Sequence, residues 1–209
     1  MVERFILVLL ATMVAGTSQA QASLPILVEG AEMESGYERT LFKHWVDADK
    51  DRCNTRNEVL IAEAKIKPRI NKPCTLVGGS WISPYDGKKF TNPKLLDIDH
   101  LIPLAEAWRS GAWAWTPAQR EAFANDLFDS RALVAVTAGE NRSKGDQDIK
   151  TWLPPIGKCK YVADWVSIKV RYSLTFDSQE LTVANQYLHT CNITTISVTI
   201  LPGYSFASI

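Results

Sequence analysis

The amino-acid sequence predicts one soluble domain of the α+β class that is mostly helical and holds a small β element near its middle. The 209 residues suit a single domain, or a domain with appendages. Hydrophobic residues make up 46% of the chain, which is enough for a packed core. Several stretches carry apolar residues at helical spacing, whereas only short runs have the β-branched character of strands.

The N-terminal residues predict an export signal. A cation precedes the apolar run Phe5–Ala15, and a small-x-small cleavage pattern ends at Ala22. The apolar run is well short of the roughly 20 residues that a membrane span needs. We therefore expect a signal peptide over residues 1–22 and a mature domain over residues 23–209. That domain should be secreted or periplasmic, monomeric and without a membrane partner.

Helices are predicted mainly from apolar spacing and from capping residues. Thr116–Gln119, for example, is a capping box with proline at the first helical position. The two strands of the β element are expected at Leu95–His100 and Leu133–Thr137, and the alternation in Ile193–Leu201 predicts another strand. The predicted helices cover about 34–46, 57–64, 104–109, 116–126, 141–152, 161–172 and 177–189.

Four cysteines follow the predicted signal: Cys53, Cys74, Cys159 and Cys191. They allow three connectivities, of which pairing Cys53 with Cys74 and Cys159 with Cys191 is the simplest. Each such disulfide would close a loop of some tens of residues, a stabilisation of roughly 3–4 kcal/mol. A zinc–thiolate site is disfavoured because the chain has no C-x-x-C pair and only three histidines.

The segment from Asp97 to Pro103 concentrates residues suited to hydrolytic chemistry. Asp97 and Asp99 share one face of the predicted strand, and carboxylate oxygens are hard ligands for Mg²⁺, Mn²⁺ or Ca²⁺. His100 can take a proton from water near neutral pH. An isolated Asp-His pair is more often a solvated strand end, so this segment alone does not establish a site.

A second polar segment follows the other predicted strand. Asn141 offers another oxygen ligand, and Arg142 and Lys144 can contact phosphate oxygens. On its own this segment is typical of a solvated turn.

Together the two segments resemble the ββα-metal (His-Me finger) motif of HNH endonucleases. The motif is carried by Asp97-Ile-Asp-His-Leu-Ile-Pro103 and by Glu140-Asn-Arg-Ser-Lys-Gly-Asp146. The chain is similar to secreted HNH nucleases of bacteria and fungi over most of its mature length, in runs that include Cys53–Leu60 and Thr151–Pro155. It departs from many of them at Arg131-Ala132, where they have an asparagine before the second strand.

The resemblance implies a ββα-metal core over about 95–153 and a C-terminal helical hairpin over about 159–191. It implies that Asp99 and Asn141 bind one divalent metal ion, with Mg²⁺ favoured over Mn²⁺ or Ca²⁺. His100 would then be the general base.

Supporting roles are expected for further residues near these segments. We expect Arg142 and Lys144 to contact substrate phosphates. Arg56 and Glu58 follow Cys53, so a disulfide could hold them against the site, Arg56 toward substrate and Glu58 behind the ligands. A helix-surface ion pair is the alternative for these two. Asp97 would lie behind the metal ligands or be solvated.

The implied function is metal-dependent hydrolysis of phosphodiester bonds in nucleic acid, leaving 5′-phosphate and 3′-hydroxyl ends. DNA is favoured over RNA as the substrate, and the sequence itself does not distinguish the two. The 23 basic and 23 acidic residues balance, which excludes a polybasic nucleic-acid coat. No zinc finger, helix-turn-helix or RNA-recognition motif is visible, so we expect little sequence specificity. The alternative is a non-catalytic, disulfide-stabilised binding module that keeps the HNH fold.

Overall fold

The computed structural model describes residues 24–199 and Gly203, so the predicted signal peptide lies outside the described part of the chain. Within that part, six α-helices are interspersed with six short strands, which pair into three two-stranded sheets. No helix among the described residues combines the length and the apolar character needed to cross a bilayer. In chain order the elements are α1 (Thr55–Glu63), β1 (Arg69–Asn71), β2 (Thr75–Val77), β3 (Trp81–Ile82), β4 (Lys89–Phe90), β5 (Leu96–His100), α2 (Leu104–Arg109), α3 (Pro117–Ala124), β6 (Leu133–Thr137), α4 (Ala138–Lys144), α5 (Lys158–Arg171) and α6 (Ser178–Thr190).

The β5–β6 sheet confirms the two strands predicted from the sequence. The strands are antiparallel, with Asp99 opposite Val134 and His100 opposite Leu133. Helix α4 begins directly after β6 and packs against both strands. This order brings the C-terminal end of β5 next to the helix that carries the second polar segment.

The main core is built around α5 and α6. Trp165, Tyr172 and Phe176 are completely buried there. Lys169 is also buried and donates hydrogen bonds to Glu106 at 2.7 Å and to Glu180 at 2.5 Å. Because buried charges need partners, this trio ties α2, α5 and α6 together.

Two disulfides join the cysteines that are neighbours in the sequence. Cys53–Cys74 links the segment before α1 to the segment before β2. Cys159–Cys191 links the first turn of α5 to the end of α6. The simplest of the three possible connectivities is therefore confirmed.

The predicted helix over residues 34–46 is wrong. Only Arg39–Leu41 forms a 3₁₀ turn there. Gly36 and Trp45 have φ values of 81° and 59°, in the left-handed region that an α-helix does not use. A Cβ at position 36 would approach the Trp108 ring to 3.3 Å, so the glycine also permits close packing.

Two other predicted elements differ in the structure. The predicted helix over 141–152 starts earlier and ends earlier, because Gly145 terminates α4 with a φ of 53°. The predicted strand over 193–201 is absent from its described residues, 193–199, whereas residues 200 and 201 lie outside the described part. Residue Ile196 is buried in the main core instead of pairing with a strand.

Candidate active site

The end of β5 and the middle of α4 meet at one cavity. The cavity has a volume of about 220 Å³, and Asp99, His100 and Asn141 all line it. A larger cavity, of about 370 Å³, lies against Tyr85 and Leu101 and contains none of these three residues. The structure therefore brings together the carboxylate, imidazole and amide that the sequence analysis singled out.

Asp99 is almost fully buried, and its Oδ2 atom is already engaged. Oδ2 accepts a hydrogen bond from the Tyr85 hydroxyl and another from Lys144 Nζ at 2.5 Å. Burial raises the pKa of the Asp99 carboxyl, and the Lys144 ammonium opposes this rise. Among the described residues no hydrogen bond reaches Asp99 Oδ1, so this oxygen can serve as a ligand.

His100 is held in one tautomer by the backbone. Its Nε2 lies 2.9 Å from the Ala124 carbonyl oxygen, which can only accept, so Nε2 carries the proton and Nδ1 can accept one. The Trp45 ring covers the imidazole with 5.4 Å between ring centroids. Burial lowers the pKa of His100 to about 3, so the ring is neutral at physiological pH.

Asn141 is oriented by Asp97. The Asn141 side-chain amide donates to Asp97 Oδ2 at 3.4 Å, so its carbonyl oxygen is not used in that contact. Asp97 Oδ2 also lies 3.8 Å from Nε of Arg142, whose side chain is 78% exposed. The expected place of Asp97 behind a ligand therefore agrees with its contacts.

The Asp99 and Asn141 oxygens form a donor set of the kind that hard divalent cations prefer. Two other groups of acidic side chains lie close together among the described residues, and neither includes a residue of this cavity. Asp47, Asp49 and Asp51 are all exposed. In the other group, Asp148 and Asp177 are already bridged by Lys150.

Comparison with known proteins identifies a family that matches the chain. The family described as GmrSD restriction endonucleases, C-terminal domain, matches residues 55–182, well over half of the chain. The chain belongs to this family. The match confirms the relationship to nucleases expected from the sequence, and the matched range contains Asp99, His100 and Asn141.

A relative from Arthroderma benhamiae is named only as an uncharacterized secreted protein. It is 39% identical over 180 residues, which cover 85% of this chain and 86% of the relative. No solved structure matches the chain. The relative's name agrees with the predicted export signal, and the two disulfides fit an oxidising compartment.

Lys144 was expected from the sequence to contact substrate phosphates, but its position in the structure is different. Its side chain has no exposed surface, and its ammonium donates to Asp99 and to the carbonyl oxygens of His100 and Leu101, both at 2.9 Å. All three N–H donors are therefore used inside the protein. Lys144 joins α4 to the end of β5 and fixes the Asp99 carboxylate.

Arg56 and Glu58 also differ from expectation, because neither lines the cavity. Arg56 donates to the carbonyl oxygens of Pro93 at 3.3 Å and Leu96 at 2.9 Å, so it supports the start of β5. Glu58 lies at the start of α1, where burial and the neighbouring acidic residues at 47, 49 and 51 raise its pKa. The Cys53–Cys74 disulfide joins the segment before α1 to the segment before β2, and it does not bring these two side chains into the cavity.

The sequence analysis missed Tyr85 and Arg39. Tyr85 lies between β3 and β4, and nothing in the sequence indicated its burial or its hydrogen bond to Asp99. Arg39 lines the cavity from the segment that was expected to be helical. Its position depends on the irregular backbone of that segment, which the helical spacing of the apolar residues did not indicate.

Proposed function

We propose that the protein is a secreted HNH-type endonuclease that uses one divalent metal ion, Mg²⁺ in the first instance, to hydrolyse DNA with little sequence specificity. The observation that carries the proposal is the convergence of Asp99, His100 and Asn141 on one cavity. Membership of an endonuclease domain family supports the reaction class. The name of the relative, the paired cysteines and the signal-like N-terminus support secretion.

In this proposal His100 activates the attacking water. Nδ1 is the free acceptor, since Nε2–H is bound to the Ala124 carbonyl, and it takes the proton as the water oxygen bonds to phosphorus. The low pKa keeps the imidazole unprotonated at neutral pH, and the negative charge of a bound phosphate would favour its protonated form. The P–O3′ bond then breaks, which leaves 5′-phosphate and 3′-hydroxyl ends.

Asp99 and Asn141 would hold the cation through Oδ1 of each side chain. A divalent ion bound there would stabilise the negative charge that develops on the leaving 3′ oxygen. Tyr85 and Lys144 restrain Asp99 through its other oxygen, and Asp97 restrains the Asn141 amide. These contacts orient both ligands toward the same cavity.

The proposal is tested by cleavage of plasmid and linear DNA with Mg²⁺ and with a chelator. We expect His100→Ala to lower the rate by about 10²–10⁴-fold, because the proton acceptor is lost. His189→Ala is the matched control, since this histidine is exposed on α6 and outside the cavity. Cleavage by His100→Ala at the parent rate would contradict the assignment, and DNA binding without any cleavage by the parent would support a non-catalytic module.

A further inference from the structure

A segment that precedes the family-matched range contributes to the cavity. We call residues 28–46 the N-terminal strap. Its first part pairs with Phe176, since Gly30 N donates to the Phe176 carbonyl and Phe176 N donates to the Val28 carbonyl, both at 2.9 Å. Its last part is held where Val46 N donates to Asn125 Oδ1 at 3.1 Å. Hydrogen bonds therefore hold both ends of the strap against the rest of the domain.

The strap is also fixed on both sides of Arg39. Before it, Trp108 Nε1 donates to the Ser35 carbonyl at 2.9 Å. After it, Phe42 is fully buried in the main core, and Arg120 donates to the Leu41 carbonyl at 3.3 Å. The 3₁₀ turn Arg39–Leu41 lies between these contacts, so the backbone at Arg39 has a defined place at the cavity.

The Arg39 side chain is an exposed cation. It lines the cavity together with Asp99, His100 and Asn141. Among the described residues it forms no ion pair, whereas Arg142 on the same cavity lies near Asp97. Its charge is one of the influences that lower the pKa of His100, as expected for two groups that share a cavity.

We propose that Arg39, together with Arg142, binds the non-bridging oxygens of the DNA phosphate that lies beside His100. This subsite rests on the function proposed above and deepens it. A guanidinium presents paired N–H donors that match phosphate oxygens, and Arg39 can make such bonds without giving up an existing ion pair. The two arginines reach the cavity from different elements, the strap and α4, so a phosphate between them would be held from two directions.

The charges of the cavity explain why Arg39 matters. Its lining carries two arginines and the two carboxylates of Asp99 and Asp146, and the Lys144 ammonium neutralises the Asp99 carboxylate at 2.5 Å. Removing Arg39 would take away one of the two arginines of the lining and so weaken the attraction for phosphate. Because Arg142 is shared with Asp97, Arg39 is the stronger source of attraction.

The first measurement is DNA binding by the inactive His100→Ala protein. The probe is a short fluorescein-labelled DNA duplex, titrated in Mg²⁺ at several salt concentrations. We expect Arg39→Ala in this background to reduce the slope of log affinity against log salt by about one, because one phosphate contact is lost. Arg69→Ala, which removes an exposed arginine of β1 outside the cavity, should leave the slope unchanged.

The second measurement is cleavage by the protein with His100 intact. We expect Arg39→Ala to lower kcat/KM by about 10–100-fold, since charge stabilisation at the reacting phosphate is lost. Arg39→Lys keeps the positive charge without the paired N–H donors of the guanidinium. We therefore expect its kcat/KM to lie between those of Arg39→Ala and the parent. A merely structural role would lower thermal stability in both variants and would not change the salt slope.

The outcomes separate this subsite from the nuclease proposal. If the parent cleaves DNA and Arg39→Ala has the parent slope and rate, the subsite is wrong and the nuclease stands. If the parent binds DNA with an Arg39-dependent slope but never cleaves, the nuclease is wrong and the subsite stands. If the parent neither binds nor cleaves DNA, both proposals fall.

Discussion

Replacing Lys144 by methionine removes a buried ammonium while keeping most of the side-chain volume. In the parent the ammonium donates to Asp99 and to the carbonyl oxygens of His100 and Leu101. In the variant these three acceptors lose their donor, and the Asp99 carboxylate keeps only the Tyr85 hydroxyl. The change tests whether Lys144 is an internal tie or a surface cation.

The expected cost follows from this burial. Removing one partner of a buried ion pair costs about 3–5 kcal/mol, since the other charge is left without compensation. For a domain of this size each kcal/mol lowers the Tm by about 2–4 °C, so the Tm should fall by about 6–20 °C. Asp99→Asn combined with Lys144→Met should recover part of the loss, because no buried charge then remains.

Thermal unfolding followed by circular dichroism measures this effect. Lys158→Met is the control, because Lys158 is exposed at the start of α5 and a surface change should stay within about 0.5 kcal/mol. The reasoning is refuted if Lys144→Met has the same Tm as the parent and instead reduces the slope of log DNA affinity against log salt. That result would make Lys144 a phosphate contact at the surface.

Two further substitutions test the surroundings of the site. Tyr85→Phe removes only the hydroxyl that bonds to Asp99. We expect the Mg²⁺ affinity, measured as the Mg²⁺ concentration for half-maximal cleavage, to weaken about tenfold with a small change in Tm. An unchanged Mg²⁺ titration would count against a supporting role of Tyr85. Burial raises the pKa of Glu63 to about 7, although Ala135 N donates to its Oε2 at 3.0 Å. The stabilisation from its protonated form is complete below the ordinary pKa of about 4.5 and is lost as the pH rises through about 7, a change of roughly 3 kcal/mol. Urea unfolding at pH 5 and pH 8 should therefore show a smaller pH-dependent loss for Glu63→Gln than for the parent, and equal losses would show that Glu63 is not the group responsible.

The sequence predicted the two strands beside the candidate site because their signals are local. Strand β6 is a β-branched run, and β5 ends at a proline-containing turn, so both strands follow from composition and spacing. Each polar segment alone is typical of solvated residues. The convergence of Asp99, His100 and Asn141 was therefore an implication of the resemblance to HNH endonucleases and not of local signals.

The strap could not be predicted in the same way. Tyr37, Phe42 and Trp45 have helical spacing, but their rings pack on partners from different parts of the chain. Tyr37 contacts Trp108 as well as Phe42, Phe42 contacts Phe123, and Trp45 contacts His100. Their burial therefore comes from separate tertiary contacts and not from one helix face. Apolar residues at helical spacing indicate a helix when they form one stripe that packs against the core. Here the same spacing arises from separate contacts.

The basic residues of α4 show where helix geometry could have corrected the sequence analysis. Asn141 and Lys144 are three residues apart, so they share one helix face. If Asn141 faces the end of β5, Lys144 must face it too, and its charge is buried there. Arg142 also lines the cavity, but its side chain stays 78% exposed. The sequence could therefore separate the two cations once the direction of Asn141 was assumed.

The proposed chemistry and the proposed substrate contact come from different parts of the chain. The family-matched range supplies Asp99, His100 and Asn141, whereas Arg39 and Trp45 come from the strap that precedes it. Burial is the largest cause of the low pKa of His100, and Trp45 covers that ring. The strap therefore packs Trp45 against the proposed base and also brings a cation to the same cavity. A segment with little regular secondary structure thus contributes both to the surroundings of the proposed base and to the proposed phosphate contact.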